Sequence, residues 1–311
     1  MAGGTAPPES VAPPALSFAG IREQHWYREA RAILRVYMRN RPAVLGAVLL
    51  LGFGIVAAFA PAIAPADPLK TNLSLEGIYQ PPAWDHIAGT DSQGRDVLSR
   101  TIFGARIAWQ IVLAAIGVAI VVGVPLGLLA GYIGGKLDEL VIMRIVDALM
   151  AMPGLVLILA VTAALGPSIQ NTMIIIGFVW SPGYARLTRG VVLSIKQEVY
   201  IDAAHAVGAP PRRIMLRHML PNVVAPVLVL ASLSAAGIIL VEAGLSFIGA
   251  GVQPPTPAWG GMVAKAYITI MTRSAWPILA PALAIILMVM SFNFVGDGVR
   301  DAMDPRLRNI R

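Results

Sequence analysis

Side chains that could do chemistry are few in this sequence, and they gather at three places. Arginines cluster within residues 186–222, Asp and Arg alternate within residues 89–100, and Glu242 stands alone in an apolar segment. The 4 histidines show no metal-ligand spacing such as HExxH, and without Cys there is no thiolate nucleophile, disulfide or cysteine-based metal site. The phosphate-loop patterns GxxxxGKS and GxxxxGKT are also absent. We therefore expect this chain to have no catalytic residue, metal site or cofactor of its own and not to be an enzyme.

The arginine-rich stretch carries helix signals. Ser194 followed by Gln197 forms a capping box, which predicts a helix that begins near Ile195. Gly208 suits the position just after a helix, where a left-handed backbone is needed. Pro210 disfavours helical geometry at the residue before it, so we expect the chain to turn there.

A second short helix is predicted after this turn. Pro210 and Pro211 are tolerated in the first turn of a helix, and we expect Pro221 to end that helix after about Leu220. The basic residues of the second helix are Arg212, Arg213 and Arg217. Residues 194–221 would then form a two-helix element that docks onto a partner; the alternative is an ordinary solvated loop between membrane helices.

Composition indicates an integral membrane protein. Hydrophobic residues make up 57% of the chain, charged residues make up 13%, and the mean hydropathy is +0.71, whereas soluble domains carry about 25% charged residues. The formal net charge of +7 would suggest nucleic acid for a soluble chain. In a membrane protein it indicates basic residues retained on the cytoplasmic side, so we expect a lipid bilayer and no nucleic acid as partner.

The apolar segments predict an all-α polytopic membrane protein with about six transmembrane helices. The first segment, 43–64, has no charged residue and spans about 33 Å at a rise of about 1.5 Å per residue. Five more are expected within a core over 107–300, at 107–132, 140–165, 171–187, 223–248 and 277–295. Small residues recur in the second segment, where we expect close helix packing; they are Gly117, Gly123, Gly127 and Gly131.

Basic residues orient these segments. Residues 1–42 are predicted to form a cytoplasmic tail and a basic amphipathic helix over 21–41 that lies on the membrane surface. With six spans, 65–106 is extracytoplasmic, 301–311 is a cytoplasmic tail, and 18 of the 24 Lys and Arg residues lie on the side of the N-terminus. The positive-inside rule therefore places both termini and residues 194–221 in the cytoplasm.

Two further charged features have alternative interpretations. In the run 89–100, Asp91 and Asp96 alternate with Arg95 and Arg100; a ligand or metal site is conceivable, but a salt-bridged loop that caps the helix bundle is favoured. A carboxylate at membrane depth is costly and faces protein or water. Glu242 therefore either lines or gates a substrate path, or forms hydrogen bonds at a helix end or between helices.

The cytoplasmic element also resembles a known motif. Its run Asp202-Ala203-Ala204, three residues, Gly208, nine residues and then 218–221 resembles the EAA coupling motif of membrane permeases in ATP-driven, binding-protein-dependent importers. Asp202 stands where Glu is usual and His218 where an aliphatic residue is usual. The resemblance implies an ATPase-coupling role for Asp202, Ala203, Ala204, Gly208, Pro210, Arg212, Arg213, Leu220 and Pro221.

Four other strings are similar to the dipeptide/oligopeptide branch of these permeases. They are GTDSQGRDVLSR at 89–100, DALMAMPGL at 147–155, EAGLSFIGAGVQPPTPAWGGM at 242–262 and NFVGDGVRDAMDPRLR at 293–308. The resemblance implies the type I ABC importer fold, a bacterial inner or plasma membrane, and transport of di- or oligopeptides. Nickel complexes, glutathione and glycosides are alternative substrates.

The same resemblance implies partners. They are a second, related permease subunit, two ATPase subunits that bind ATP and Mg, and an extracytoplasmic substrate-binding protein. The alternative from another class is a self-sufficient secondary transporter or channel. That class favours several intramembrane ionisable residues or evident inverted repeats, and the sequence offers one deep acid and no clear repeat.

Overall fold

The computed structural model describes residues 31 to 303 except residues 32, 75 and 271–274, with the side chains of 268–270 also left undescribed. Helices dominate this part of the chain, and its only sheet-like pairing is an isolated bridge between Thr90 and Asp96. The helices are α1 (33–39), α2 (Arg41–Ala58), α3 (Ala60–Ile63), α4 (Val97–Ile133), α5 (Gly135–Leu137), α6 (Met143–Ala151), α7 (Gly154–Leu165), α8 (Ile169–Ile195), α9 (Val199–Ala206), α10 (Pro211–Ile214), α11 (Leu220–Phe247), α12 (Trp259–Ile270) and α13 (Trp276–Met303). Two π-helical turns, Asp138–Ile142 and Met215–Met219, join α5 to α6 and α10 to α11.

Side-chain caps begin two of the long helices, α4 and α8. Asp96 accepts a hydrogen bond from the backbone N–H of Ser99 (2.7 Å) at the start of α4. Ser168 likewise accepts one from Asn171 (3.1 Å) at the start of α8. Each cap satisfies a backbone donor that the first helical turn leaves without a partner, so these two helices have defined starting points.

The predicted all-α class is confirmed, and most of the predicted spans are present. In the part of the chain that the structure describes, four helices are long and apolar enough to cross a bilayer, namely α2, α4, Pro211–Phe247 and α13. A fifth span results if the bent pair Gly135–Ala151 and Gly154–Leu165 counts as one. The 27 residues of α8 would extend about 40 Å, but this helix contains two arginines and is less apolar. The sixth span therefore remains a prediction for α8.

The predicted continuous helix over 140–165 is wrong. The chain bends by 93° between its two halves, because Pro153 follows Met152, whose backbone is extended with φ −85° and ψ 136°. A residue before proline disfavours helical geometry. Most of the predicted amphipathic helix over 21–41 lies outside the described residues, and residues 33–39 of it are helical. Residues 304–311 of the predicted C-terminal tail also lie outside the described residues.

Glycines bring α4 and α8 into close contact. A Cβ at Gly123 or Gly127 would overlap a backbone carbonyl of α8, and a Cβ at Gly131 would lie 2.8 Å from the Cβ of Val192. From the other side, a Cβ at Gly177 of α8 would lie 2.6 Å from the carbonyl oxygen of Ala115. The expected packing role is thus present at three of the four predicted glycines. The expectation was wrong for Gly117, which faces open space because it lies on another side of α4.

Two large apolar clusters and a small third one fill the described part of the bundle. The largest one joins α4, α8, α11, α12 and α13 and contains the buried side chains of Ile111, Ile176, Ile238, Met288 and Trp259. The second, which we call the inner core, lies at the end of the bundle where α4 and α8 finish and contains Tyr184, Val192, Ile201, Ile214 and Met219. Because Ile201, Ile214 and Met219 belong to the stretch 199–219, the inner core fixes that stretch against the membrane helices.

Leucine at Gly127 should separate α4 from α8. Overpacking of a tight contact costs about 1–3 kcal/mol, so we expect Gly127→Leu to lower the thermal unfolding temperature of the purified chain in detergent. Gly117→Leu is the matched control on the same helix and should unfold near the wild-type temperature. Equal effects of the two substitutions would contradict the assigned packing.

Candidate functional site

Residues 194–221 lie at the end of the bundle that holds the inner core. We call it the inner end because the sequence predicts that it is cytoplasmic, and we call the opposite end the outer end. The first helix of this element begins later than the sequence indicates. The helix predicted to start near Ile195 is wrong: α8 continues through Ile195, and α9 begins at Val199. Within this last turn, the backbone N–H of Gln197 donates to the carbonyl oxygen of Ser194 (3.2 Å), so Ser194 ends a helix instead of capping one. The reason is tertiary, since α8 is prolonged by burial of Val192 in the inner core.

The turn after α9 is the one predicted at Gly208. Its φ is +75°, a conformation that costs other L-residues about 1–2 kcal/mol. The N–H of Gly208 donates to His205 O (2.9 Å), and the N–H of Ala209 donates to Ala204 O (3.0 Å). This pair of bonds is a Schellman motif, and it sets the direction in which the chain leaves α9.

The second half of the element is continuous with a membrane span. Pro221 does not end a helix, contrary to the prediction, but lies in the first turn of α11. In the π-helical turn before it, the N–H of Leu220 donates to Met215 O, a wider spacing that accommodates a proline ring, which has no N–H to donate. The stretch from Pro211 to Phe247 is therefore one rod.

A polar contact from the end of α8 and an aromatic contact from α9 both reach the end of α4. Lys196 Nζ donates to the carbonyl oxygen of Tyr132 (2.8 Å) and lies 5.9 Å from the centre of its ring. The imidazole of His205 stacks on the same ring with centroids 6.3 Å apart. Sequence reasoning missed these three residues because their contacts join parts of the chain more than 60 positions apart.

The outward face of the element is exposed and partly apolar. Val199 and Val207 are 81% and 82% exposed, and Tyr200 and Leu216 are also exposed. Hydropathy could not predict this exposure, because all four side chains are apolar or aromatic. The exposed residues that sequence reasoning named are Asp202, Ala203, Gly208, Pro210, Arg212, Arg213 and Pro221, whereas Ala204 and Leu220 are half-buried. We call the exposed residues of 199–217 the coupling surface, after the role that the sequence predicts for them. It combines apolar side chains, one acid and several arginines, a composition typical of a protein contact.

At the opposite, outer end, the run 89–100 forms a salt-bridged turn. Arg95 pairs with Asp91 (2.6 Å), and Arg100 Nε lies 3.7 Å from the same carboxylate. Asp91 therefore forms the salt bridges that the favoured interpretation of this run predicts. Asp96 differs from the expected pairing with arginine, because it caps α4 and lies 3.0 Å from His86 Nδ1. Among the described residues, no group of acids and histidines could hold a metal ion.

Glu242 lies near the outer end of α11 and is buried. The hydroxyl of Ser246 donates to Glu242 Oε1 (2.7 Å), and the same oxygen of Ser246 accepts from the backbone N–H of Val252 (3.1 Å). Its carboxylate thus anchors the turn that follows α11. This geometry favours the interpretation that Glu242 forms hydrogen bonds at a helix end. A role of Glu242 in lining or gating a substrate path stays a prediction.

Comparison with protein families gives two matches. The family described as binding-protein-dependent transport system inner membrane component matches residues 123–309. The N-terminal transmembrane domain of oligopeptide transport permease C matches residues 30–82. The two matches together cover most of the chain, including both ends of the bundle.

Curated proteins of similar sequence are transport permeases. The dipeptide transport system permease protein DppC of Alkalihalophilus pseudofirmus is 40% identical over 91% of each chain. The di/tripeptide transport system permease protein DppC of Pseudomonas aeruginosa is 41% identical over 88% of this chain and 91% of its own length. The glutathione transport system permease protein GsiD of Pectobacterium atrosepticum is 37% identical over 93% of this chain and 95% of its own.

A solved structure shares the fold. A chain of the MetNI methionine ABC transporter in inward-facing conformations aligns with a TM-score of 0.53 at 17% identity. The alignment covers 66% of this chain and 97% of the other. At this identity the likeness concerns the fold alone, and it supports the predicted ABC permease architecture.

Substitution of Glu242 separates its two interpretations. Glu242→Gln keeps an acceptor for Ser246 and should unfold near the wild-type temperature, whereas Glu242→Leu leaves a buried hydroxyl without its acceptor, at a cost of about 1–3 kcal/mol. Thermal unfolding in detergent measures both. A Gln variant that folds normally but fails in transport would show instead that the charge serves a substrate path.

Proposed function

This chain belongs to the family of binding-protein-dependent transport system inner membrane components, and from this premise we propose that it is a permease subunit of an ATP-driven importer of small peptides. The observation that carries the proposal is 37–41% identity over about nine-tenths of the chain to permeases named for dipeptides, tripeptides and glutathione. Glutathione is a tripeptide and is our second candidate substrate. These names favour peptides over nickel complexes and glycosides.

The coupling surface would seat in a groove of a partner ATPase subunit. Exposed apolar side chains such as Val199 and Val207 gain free energy when a partner removes them from water. Asp202 lies in the first turn of α9, where the helix dipole favours a negative charge, and it offers the partner a fixed charge to recognise. The proposal assigns ATP and Mg to two such ATPase subunits, because this chain has no phosphate loop.

Movement of the ATPases would reach the membrane through rigid connections. The rod from Pro211 to Phe247 carries the second half of the coupling surface at one end and crosses the bundle. The first half follows directly on α8 and is held to the ends of α4 and α8 by His205, which stacks on Tyr132, and by the inner core. A tilt of the coupling surface would therefore turn α4, α8 and α11 together, as alternating access by rigid-body motion requires.

The assembly would include further subunits. A second, related permease would complete the translocation path, and an extracytoplasmic binding protein would deliver the peptide to the outer end. A secondary transporter or channel needs no ATPase, so under that alternative the coupling surface would have no partner. A bacterial inner or plasma membrane with both termini in the cytoplasm completes the proposal.

The decisive experiment reconstitutes this chain with its partner subunits in vesicles and measures ATP hydrolysis together with uptake of a labelled dipeptide and of glutathione. The Gly208→Val variant should insert and fold. It should then either lose peptide uptake or take up less peptide per ATP hydrolysed, because a β-branched residue at φ +75° redirects the chain between α9 and α10. Asp202→Asn, which keeps the shape, should reduce uptake less.

Gly166→Val is the matched control for this experiment. Gly166 also has a positive φ (+81°) with open space around its Cβ position, but it ends α7 at the outer end. The control should therefore carry at least as much backbone strain, because φ +81° with ψ +150° is a region that only glycine adopts readily, without loss of coupling. Normal, coupled uptake by Gly208→Val would refute the role of the element, and wild-type vesicles that take up neither peptide would refute the substrate class.

Orientation is tested with single cysteines in this naturally cysteine-free chain. Tyr200 at the inner end and Trp84 at the outer end are both exposed. A membrane-impermeant maleimide applied to intact cells should label Trp84→Cys and spare Tyr200→Cys until the cells are broken. The reverse labelling pattern would invert the proposed topology.

A further inference from the structure

The outer end of the bundle encloses a cavity of about 260 Å³. It lies between the turn before α4, the end of α11, the turn after it, and α12. One wall is apolar and includes Val97, Phe247, Val252 and Met262. Ligand pockets typically measure about 300–1,000 Å³, so this smaller cavity suits a group of one or two residues better than an entire oligopeptide.

Positive charge dominates the other wall. The charged residues that line the cavity are Asp91, Arg95, Arg100 and Lys265, three basic and one acidic. Glu242 lies behind Ser246 and not on the wall. Even if it counts as a full negative charge, basic residues exceed acidic residues by one, which favours an anion.

Arg100 brings a buried charged donor to this wall. It is 3% exposed, and its Nη1 donates to the carbonyl oxygens of Pro68 (2.8 Å) and Pro255 (3.5 Å). Its Nε has no hydrogen-bond acceptor within the described part of the chain, because 3.7 Å to Asp91 exceeds hydrogen-bond distance. A buried donor without an acceptor is costly, so the charge of this guanidinium, which belongs to a lining residue of the cavity, is incompletely paired and favours an anion nearby.

Lys265 provides a second cation at the cavity, on α12 and outside the candidate spans. Burial lowers the pKa of its ammonium group, and the nearby charges of Arg95 and Arg100 lower it further, while Asp91 opposes them. A bound anion would favour the charged form of Lys265 and so reverse this direction.

We propose that this cavity binds the C-terminal residue of a peptide, with the carboxylate at Lys265 and Arg100 and the side chain on the apolar wall. The positive wall repels an N-terminal ammonium group, so it selects the carboxyl end. That the ligand is a peptide rests on the proposed function; that the cavity recognises a carboxylate beside an apolar group rests on the cavity itself.

Binding of a small probe tests the site on the full chain, purified in detergent. Calorimetric titration compares N-acetyl-leucine, which has the carboxylate, with N-acetyl-leucinamide, which differs by its neutral amide. We expect the acid to bind at least tenfold more tightly than the amide. Equal binding of the two, or no binding of the acid, would overturn the proposal.

Substitutions at the cavity locate the binding. Lys265→Gln should weaken the binding of N-acetyl-leucine at least tenfold. Lys70→Gln is the control, because it makes the same charge change at an exposed residue of the outer segment that does not line the cavity. It should leave the affinity for N-acetyl-leucine unchanged. Gly261→Leu adds bulk without charge at a lining position, where a Cβ meets only Ser246 O at 3.8 Å, and it should abolish binding while the unfolding temperature stays near that of wild type. Unchanged affinity in Lys265→Gln, or in a folded Gly261→Leu, would exclude this cavity.

The uptake experiment separates this inference from the proposed function. If the vesicles import peptides but the purified chain binds the acid and the amide equally well, the cavity proposal alone is refuted. A chain that binds the acid at this cavity, in vesicles that import no peptide, would leave a carboxylate site and remove the peptide as its natural ligand.

Discussion

Close contact between α4 and α8 is the interaction on which both ends of the molecule depend. Three glycines of α4 and Gly177 of α8 let the two backbones approach where any side chain would overlap. In a bilayer, lipid tails are as apolar as leucine, so helix association relies on such packing instead of on the hydrophobic effect. The inner end of α4 presents Tyr132 to Lys196 and His205, and its outer end presents Arg100 to the cavity. A change in the α4–α8 contact would therefore displace both sites.

The coupling surface shows how an exposed element can be both rigid and accessible. On the inward side of the element that carries this surface, Ile201, Ile214 and Met219 are fully buried, while the outward side chains include two of the most exposed valines in the described chain. Burial of the first set offsets the entropy lost when a short helix is ordered. The second set remains free to contact a partner, and the π-helical turn joins this contact directly to α11.

Polar groups at the outer end are organised differently, because they are withdrawn from water. Glu242, Ser246 and the N–H of Val252 form one buried chain of hydrogen bonds, and Asp91, Arg95 and Arg100 form a nearby cluster of charges. Such buried groups need partners to offset their desolvation. Satisfying them fixes the turns around α11 and α12, and the excess of basic over acidic side chains on its wall is what marks the cavity as a place for an anion.

Local physical chemistry was sufficient to predict several features from the sequence alone. Hydropathy and charge bias indicate an all-α membrane protein, and Gly208 indicates a left-handed turn, because both depend on residue type within a short window. The break at Pro153 was also readable in this way, although the apolar run around it concealed it. The tertiary structure alone decided where α8 ends, how Pro221 is accommodated, which glycines of α4 face a neighbour, that Asp96 meets His86, and that a basic cavity forms at the outer end. Each of these depends on which distant segment arrives beside a residue, and no local pattern in the chain encodes that.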